Sequence, residues 1–218
     1  MTAKRAAAAQ RSLFESSPGV VADDERGRIT YTPGFVAPTV AQAWFEALRD
    51  GLEWKAERRR MYDRDVDVPR LTAHFRLGSD AGQSEGVPAP IREAAREVFA
   101  RTGVRFTSVG LNRYRDGRDS VAPHNDHLDE LAEGFPIALL SLGATRRMTI
   151  RTKAPPRRSL HVDLEAGSLL MMSYETQLHY THGVPKVAHP VGERISLAFR
   201  VKPARASSED DTRRDFYR

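Results

Sequence analysis

The sequence predicts a mainly β chain of the α+β class: a jelly-roll or barrel core with helices packed on one side. Three observations predict it. Two segments with a helical period come early in the chain. From residue 106 onward the signals change to short apolar or alternating runs with turn residues between them. No repeat appears within the 218 residues, a length that suits one all-β-type domain with extensions. Helices followed by a run of strands bury their apolar faces most simply as one layer of helix on a curved sheet.

Taken in order, residues 1–28 are rich in Ala, Arg, Ser, Asp and Glu without periodicity, and are expected to form a flexible arm. Ala6 to Ala9 lack the longer apolar core of a signal peptide. The domain is expected over residues 29–202. Ile29 to Tyr31 reads as a first strand before Pro33-Gly34. Thr39 is placed as an N-cap; Val40, Ala43, Trp44, Ala47 and Leu48 follow a helical period, and Gly51 stands where a C-terminal cap belongs. Residues 53–70 are dense in charge, with Trp54, Met61 and Tyr62 interleaved. Arginines beside aromatic rings suit phosphates and unstacked bases, although such runs are more often solvated faces. Leu71 to Phe75 reads as a strand, and Gly78 to Pro88 as a polar loop. Pro90 opens a second helix with Ile91, Ala94, Ala95, Val98 and Phe99 as its stripe, closed by Gly103. Strands then follow at Phe106–Tyr114, Ile137–Leu142, Met148–Arg151, Leu160–Leu164, Leu169–Ser173 and Arg194–Val201. Residues 203–218 form a charged tail, expected to be disordered.

Composition excludes several classes of function. Cysteine is absent, so disulfides, zinc–thiolate sites and a thiol nucleophile are ruled out; a reducing, cytoplasmic setting is expected. No apolar run reaches the roughly 18 residues of a membrane span. The net charge of +5 and pI near 9.7 suit an anionic partner or a generally arginine-rich chain. A monomer is expected.

Three patterns carry chemistry. In L-N-R-Y-R-D-G-R-D-S-V-A-P-H-N-D, Asn112 and Tyr114 are one residue apart, as are His124 and Asp126. On a strand such pairs share a face, and an imidazole beside a carboxylate is two-thirds of a facial metal triad. His161, His179, His182 and His189 are the candidates for a third ligand; spacing alone does not choose, although Gly183-Val184-Pro185 after His182 would fix a strand-end ligand. In E-R-I-S-L-A-F-R-V, Arg194, Ser196, Ala198 and Arg200 share a face, leaving a polar slot that suits a small dicarboxylate. Finally, Arg146, Arg147, Arg151, Lys153, Arg157 and Arg158 lie in a stretch free of acidic residues around Pro155-Pro156. This reads as a basic hairpin, either a phosphate contact or a soluble tip.

In this order, N-x-Y, H-x-D, a distal His and R-x(5)-R resemble the AlkB family of Fe(II)- and 2-oxoglutarate-dependent dioxygenases. The likeness extends to P-I-A-L-L-S-L-G-A-T-R, G-S-L-L-M-M, H-Y-T-H-G-V-P-K and the closing E-R-I-S-L-A-F-R, and covers roughly residues 30–202. It implies a double-stranded β-helix fold, with Fe(II), 2-oxoglutarate and O2 as cofactor and co-substrates. His124, Asp126 and His182 are then the metal ligands. Arg194 would hold the distal carboxylate of 2-oxoglutarate, with Asn112, Tyr114, Ser196 and Arg200 around it. Val68-Pro69-Arg70 is similar to the substrate lid of the nucleic-acid-repair members. The resemblance thus implies a lid over about residues 53–77 and substrate contacts from Arg70, Tyr62 and Phe75. His124 would lie against a flipped base, and the basic hairpin makes Arg157 and Arg158 candidate phosphate contacts. The implied activity is oxidative dealkylation of N-alkylated bases in DNA, with RNA as a second polymer. The alternatives are an oxygenase acting on RNA modifications or on a protein, and a nucleic-acid-binding jelly roll without turnover. Two positions depart from the family pattern. Ser196 stands where the repair members carry Asn. Leu128 stands where an acidic residue often helps recognise the damaged base.

Overall fold

The computed structural model describes residues 18–61, 64–78 and 86–203. Its strands form two antiparallel sheets. They are β1 (Gly19–Asp24), β2 (Gly27–Thr32), β3 (Lys55–Met61), β4 (Arg64–Arg76), β5 (Ser108–Tyr114), β6 (Val121–His124), β7 (Ile137–Gly143), β8 (Arg146–Thr152), β9 (Ser159–Leu164), β10 (Leu169–Met172), β11 (Tyr180–Val184) and β12 (Arg194–Arg200). The larger sheet has eight strands in the order β1-β2-β10-β7-β12-β5-β4-β3, and the smaller has four in the order β6-β11-β8-β9. Two sheets with antiparallel strands and crossing connections give the jelly roll that the sequence predicts.

Helices α1 (Pro38–Gly51) and α2 (Ala89–Thr102) cover the outer face of the larger sheet. Ala41, Trp44, Phe45 and Leu48 of α1 and Ile91, Ala94, Ala95 and Val98 of α2 meet Val109, Leu111, Leu140, Leu142, Ile195, Leu197 and Phe199 in one core. A second core lies between the sheets, with Ile29, Ile137, Leu139, Met148, Ile150, Val162, Leu170 and Val184. The period-2 pattern of β12 explains the division: Ile195, Leu197 and Phe199 join the helix-side core, and the alternate residues point between the sheets. The largest polar chemistry of the chain is thereby forced inside.

The structure corrects four details of the sequence reading. Residues 19–24, expected to belong to the arm, form β1 and pair with β2. The hairpin works because Gly27 holds φ 115° at the turn, and Val20-Val21 supply the β-branched centre. Residues 1–17 of the arm, Tyr62 and the tail from residue 204 lie outside the described residues. Thr39 is not the N-cap. Helix α1 starts two residues earlier, with Pro38 at its first position and Ala37 as cap, without a side-chain capping bond. The charged stretch after α1, read without strands before Leu71, forms the hairpin β3–β4 on the edge of the larger sheet. A third helix, α3 (Glu175–His179), was not foreseen; at five residues it is too short to show a period.

Candidate metal centre

Strands β6 and β11 pair so that His182 stands opposite His124. Gly183 makes this approach possible, because a Cβ there would lie 2.8 Å from the carbonyl oxygen of Val121. Asp126 follows just after β6 ends. Ligand atoms of His124, Asp126 and His182 all lie within 4.8 Å of one another, and the two imidazole ring centres are 4.5 Å apart. Of the four distal histidines, only His182 reaches this cluster; His161, His179 and His189 are exposed. Two imidazoles and one carboxylate on one side of a cavity form the donor set of a non-haem Fe(II) site.

The electrostatics keep these donors ready for a cation. Burial pushes the His182 pKa down to about 3, helped by the neighbouring His124 and Arg200 and opposed by Asp126. His124 is also lowered, chiefly by burial, although its Nδ1 lies 3.0 Å from the carbonyl of Ala122 and that contact opposes the shift. That contact leaves Nε2 to face Asp126, at 3.9 Å from Oδ1. Burial alone would raise the Asp126 pKa, but Arg200 outweighs it: Nε donates to Oδ2 at 2.7 Å and holds the carboxylate well below its ordinary range. The ligands are therefore neutral imidazoles and an ionised carboxylate, the forms that bind metal.

The second half of the cavity belongs to β5 and β12, which pair Arg194 with Tyr114 and Ser196 with Asn112. Arg194 is fully buried and donates from Nη2 to Ser141 Oγ at 2.9 Å. Its Nε and Nη1 are buried without a hydrogen-bond partner among the described residues. Burial pushes its pKa down; Tyr114, whose ring centre lies 5.1 Å from the guanidinium carbon, favours the charged form without bonding those two nitrogens. A buried donor left unsatisfied costs about 1–3 kcal/mol, and more when charged. A carboxylate ligand would remove that cost, and a guanidinium fork is the group that binds it bidentately. The residues present thus fit both a divalent metal and a small dicarboxylate.

All of the metal and co-substrate candidates, His124, Asp126, His182, Asn112, Tyr114, Arg194, Ser196 and Arg200, line one cavity, closed by apolar groups that include Ile137, Leu139, Met148 and Met172. The remaining candidates divide. Arg70 of β4 is buried and donates from Nε to Asn112 Oδ1 at 2.7 Å, so it supports a residue of the cavity wall. Phe75 is partly buried against the helix-side core and also lines a groove beside the cavity. Arg157 and Arg158 are exposed at the turn between β8 and β9. Strand alternation splits the basic hairpin. Arg147 and Arg151 point outward, and Arg147 pairs with Asp163 at 2.7 Å. Arg146 turns inward, is buried, and bonds the carbonyls of Asp116, Asp119 and Pro185, so it is no phosphate contact.

Sequence reasoning missed two groups. Glu57 accepts a bond from Thr72 Oγ1 at 2.6 Å. With His74 and Asn112 these residues line a groove of about 650 Å³ beside the cavity. Gln177 accepts from the N–H of Asp126. Neither lies in a recognisable motif; a strand pairing and a helix of five residues bring them in.

The pattern of this chain is matched by the 2OG-Fe(II) oxygenase superfamily over residues 28–200. The human "Alpha-ketoglutarate-dependent dioxygenase alkB homolog 3" is 33% identical over 187 residues, covering 79% of this chain and 65% of that protein. Its rat counterpart is 32% identical over 200 residues, covering 85% and 68%. The human "DNA oxidative demethylase ALKBH2" is 40% identical over 119 residues, covering 51% and 46%. The chain spans 65% of the length of the first of these relatives. The chain belongs to the 2OG-Fe(II) oxygenase superfamily, and within it to the AlkB family.

Proposed function

We propose that this protein is an Fe(II)- and 2-oxoglutarate-dependent oxygenase that removes N-alkyl groups from the bases of DNA, with RNA as a second polymer. The observation that carries the reading is the buried His124–Asp126–His182 cluster beside Arg194, whose two unpaired donors await an anion. The relatives named as dioxygenase and DNA oxidative demethylase support it. With iron, 2-oxoglutarate and O2 bound, the site would couple oxidative decarboxylation to hydroxylation of an N-alkyl carbon, and the product would collapse to an aldehyde and the restored base.

The chain's own residues have defined tasks in this reading. His124, Asp126 and His182 would hold the metal. Arg194 would fix the distal carboxylate of 2-oxoglutarate, and Asn112, Tyr114 and Ser196 would orient the rest of it. Arg200 keeps Asp126 ionised. The apolar wall of Ile137, Leu139, Met148 and Met172 excludes water from the reacting centre. A base must leave the stack to reach this depth, at a cost of a few kcal/mol that is least for weakly paired, damaged bases. The groove lined by Glu57, Thr72 and His74 gives such a base a polar edge to read. The exposed Arg157 and Arg158 would meet phosphate in this reading.

The test is a panel of single-stranded DNA, duplex DNA and RNA carrying one 1-methyladenine or 3-methylcytosine, given Fe(II) and 2-oxoglutarate. Restoration of the unmodified base on a DNA member is expected. No restoration on any member, with turnover on a protein or another RNA modification, sinks the reading.

A further inference from the structure

Asp126 is held differently from the two histidines. His124 and His182 sit opposite each other in a strand ladder. Asp126 lies two residues beyond the end of β6, outside any strand, and its backbone N–H would be an orphan in a buried place. That N–H donates instead to Gln177 Oε1 at 3.0 Å. Gln177 is 1% exposed and comes from α3, on the segment that runs directly into β11 and His182.

The orientation of this amide is fixed by its other bonds. Gln177 Nε2 donates to Thr176 Oγ1 at 3.0 Å, and Thr176 Oγ1 donates to the carbonyl of Ser173 at 2.6 Å. The oxygen therefore faces the Asp126 N–H, the only sense in which each donor meets an acceptor. The helix carrying the amide is itself clamped at both ends. Ser173 Oγ accepts from the N–H of Arg28 in β2, and Lys153 Nζ donates to the Gln177 carbonyl at 2.7 Å. With Arg200 on the carboxylate and Gln177 on the backbone, the one ligand outside the ladder is held from two directions.

We propose that Gln177 is a positioning residue for the metal site: it registers the loop ligand Asp126 against the strand ligand His182 by binding the first from the segment that carries the second. Loss of a group that orients a metal ligand typically costs about 10–100-fold in metal affinity. This inference rests on the metal reading above, and its test separates the two.

Titration calorimetry of Mn(II) into the full-length apoprotein with 2-oxoglutarate present gives the affinity, and the ratio of succinate formed to base restored gives the coupling. Gln177→Leu keeps the shape but removes the acceptor; Mn(II) affinity should fall by about 10-fold or more, with more succinate formed per base. Gln177→Glu keeps an acceptor oxygen and should recover most of the affinity. Ser173→Ala loosens the same helix without touching the amide, and should lower the melting temperature while leaving Mn(II) affinity near wild type. Unchanged Mn(II) affinity in Gln177→Leu overturns the inference, as does an equal loss in Ser173→Ala at a matched melting temperature. A wild-type protein that binds no Mn(II) overturns the metal reading itself and this inference with it.

Discussion

Strands β12 and β3–β4 belong to one sheet, yet they differ in almost every physical respect. From Arg194 to Phe199, β12 is buried, paired on both sides by β5 and β7, and carries charge only on the face between the sheets. The β3–β4 hairpin is at the sheet edge, charged, and its only strand partner among the described residues is β5, which pairs with β4. The buried strand holds groups whose electrostatics are strengthened by the absence of water, such as Arg194 and the Arg200–Asp126 pair. The edge hairpin carries groups that water and salt screen, such as Arg58 and Asp67. The chemistry of the reaction thus sits where geometry is over-determined. Residues of the edge hairpin sit where replacement costs little stability.

Breaking the inner half should have the largest effect. Arg194→Met removes a buried fork that other residues do not replace, and should raise KM for 2-oxoglutarate about 10–100-fold, measured by initial rates at saturating oligonucleotide. A KM that stays at the wild-type value would place the carboxylate elsewhere.

Acid should act next, through the ligands. His182 has a folded pKa of about 3 against an ordinary 6.5, so the unfolded chain takes up a proton first as pH falls. The stability that neutral His182 contributes is complete above 6.5 and is lost progressively between 6.5 and about 3. Asp126, also depressed, adds a loss only below its ordinary 3.8. The urea midpoint of the metal-free protein should decline across that interval; a flat or rising midpoint would mean that the imidazole is not held neutral by burial.

The outer half should respond least. Removing both charges in Arg157→Ala with Arg158→Ala should leave turnover of a short substrate at saturation unchanged. It should reduce the salt slope of oligonucleotide binding by about 1.4–1.8, the value for two lost phosphate contacts. An unchanged slope would assign both side chains to solvent.

The same contrast decides what could be read from the sequence. The inner face of β12 was legible because a strand has a rigid period of two: once Ile195, Leu197 and Phe199 were apolar, Arg194, Ser196 and Arg200 had to share the other face. The H-x-D pair was legible for a similar reason. The choice of His182 over His161, His179 and His189 was not in any spacing; the β6–β11 register makes it. Arg146 misled for want of a register, since its six-residue basic context hides an inward position. Gln177 and Glu57 carry no local signal at all, because their partners are 51 and 15 residues away. Leu128 opens a short 3-10 turn that the Lys202–Glu130 pair ties to the chain just after β12.

The most direct measurement is product stoichiometry on a single-stranded oligonucleotide bearing one 1-methyladenine, with Fe(II), 2-oxoglutarate and O2. The wild-type chain should release formaldehyde with each adenine restored, and Asp126→Ala should release none. Restored adenine in the Asp126→Ala protein, or 2-oxoglutarate consumption by the wild type that leaves every methyl group in place, would contradict a metal-centred dealkylase built on this cluster.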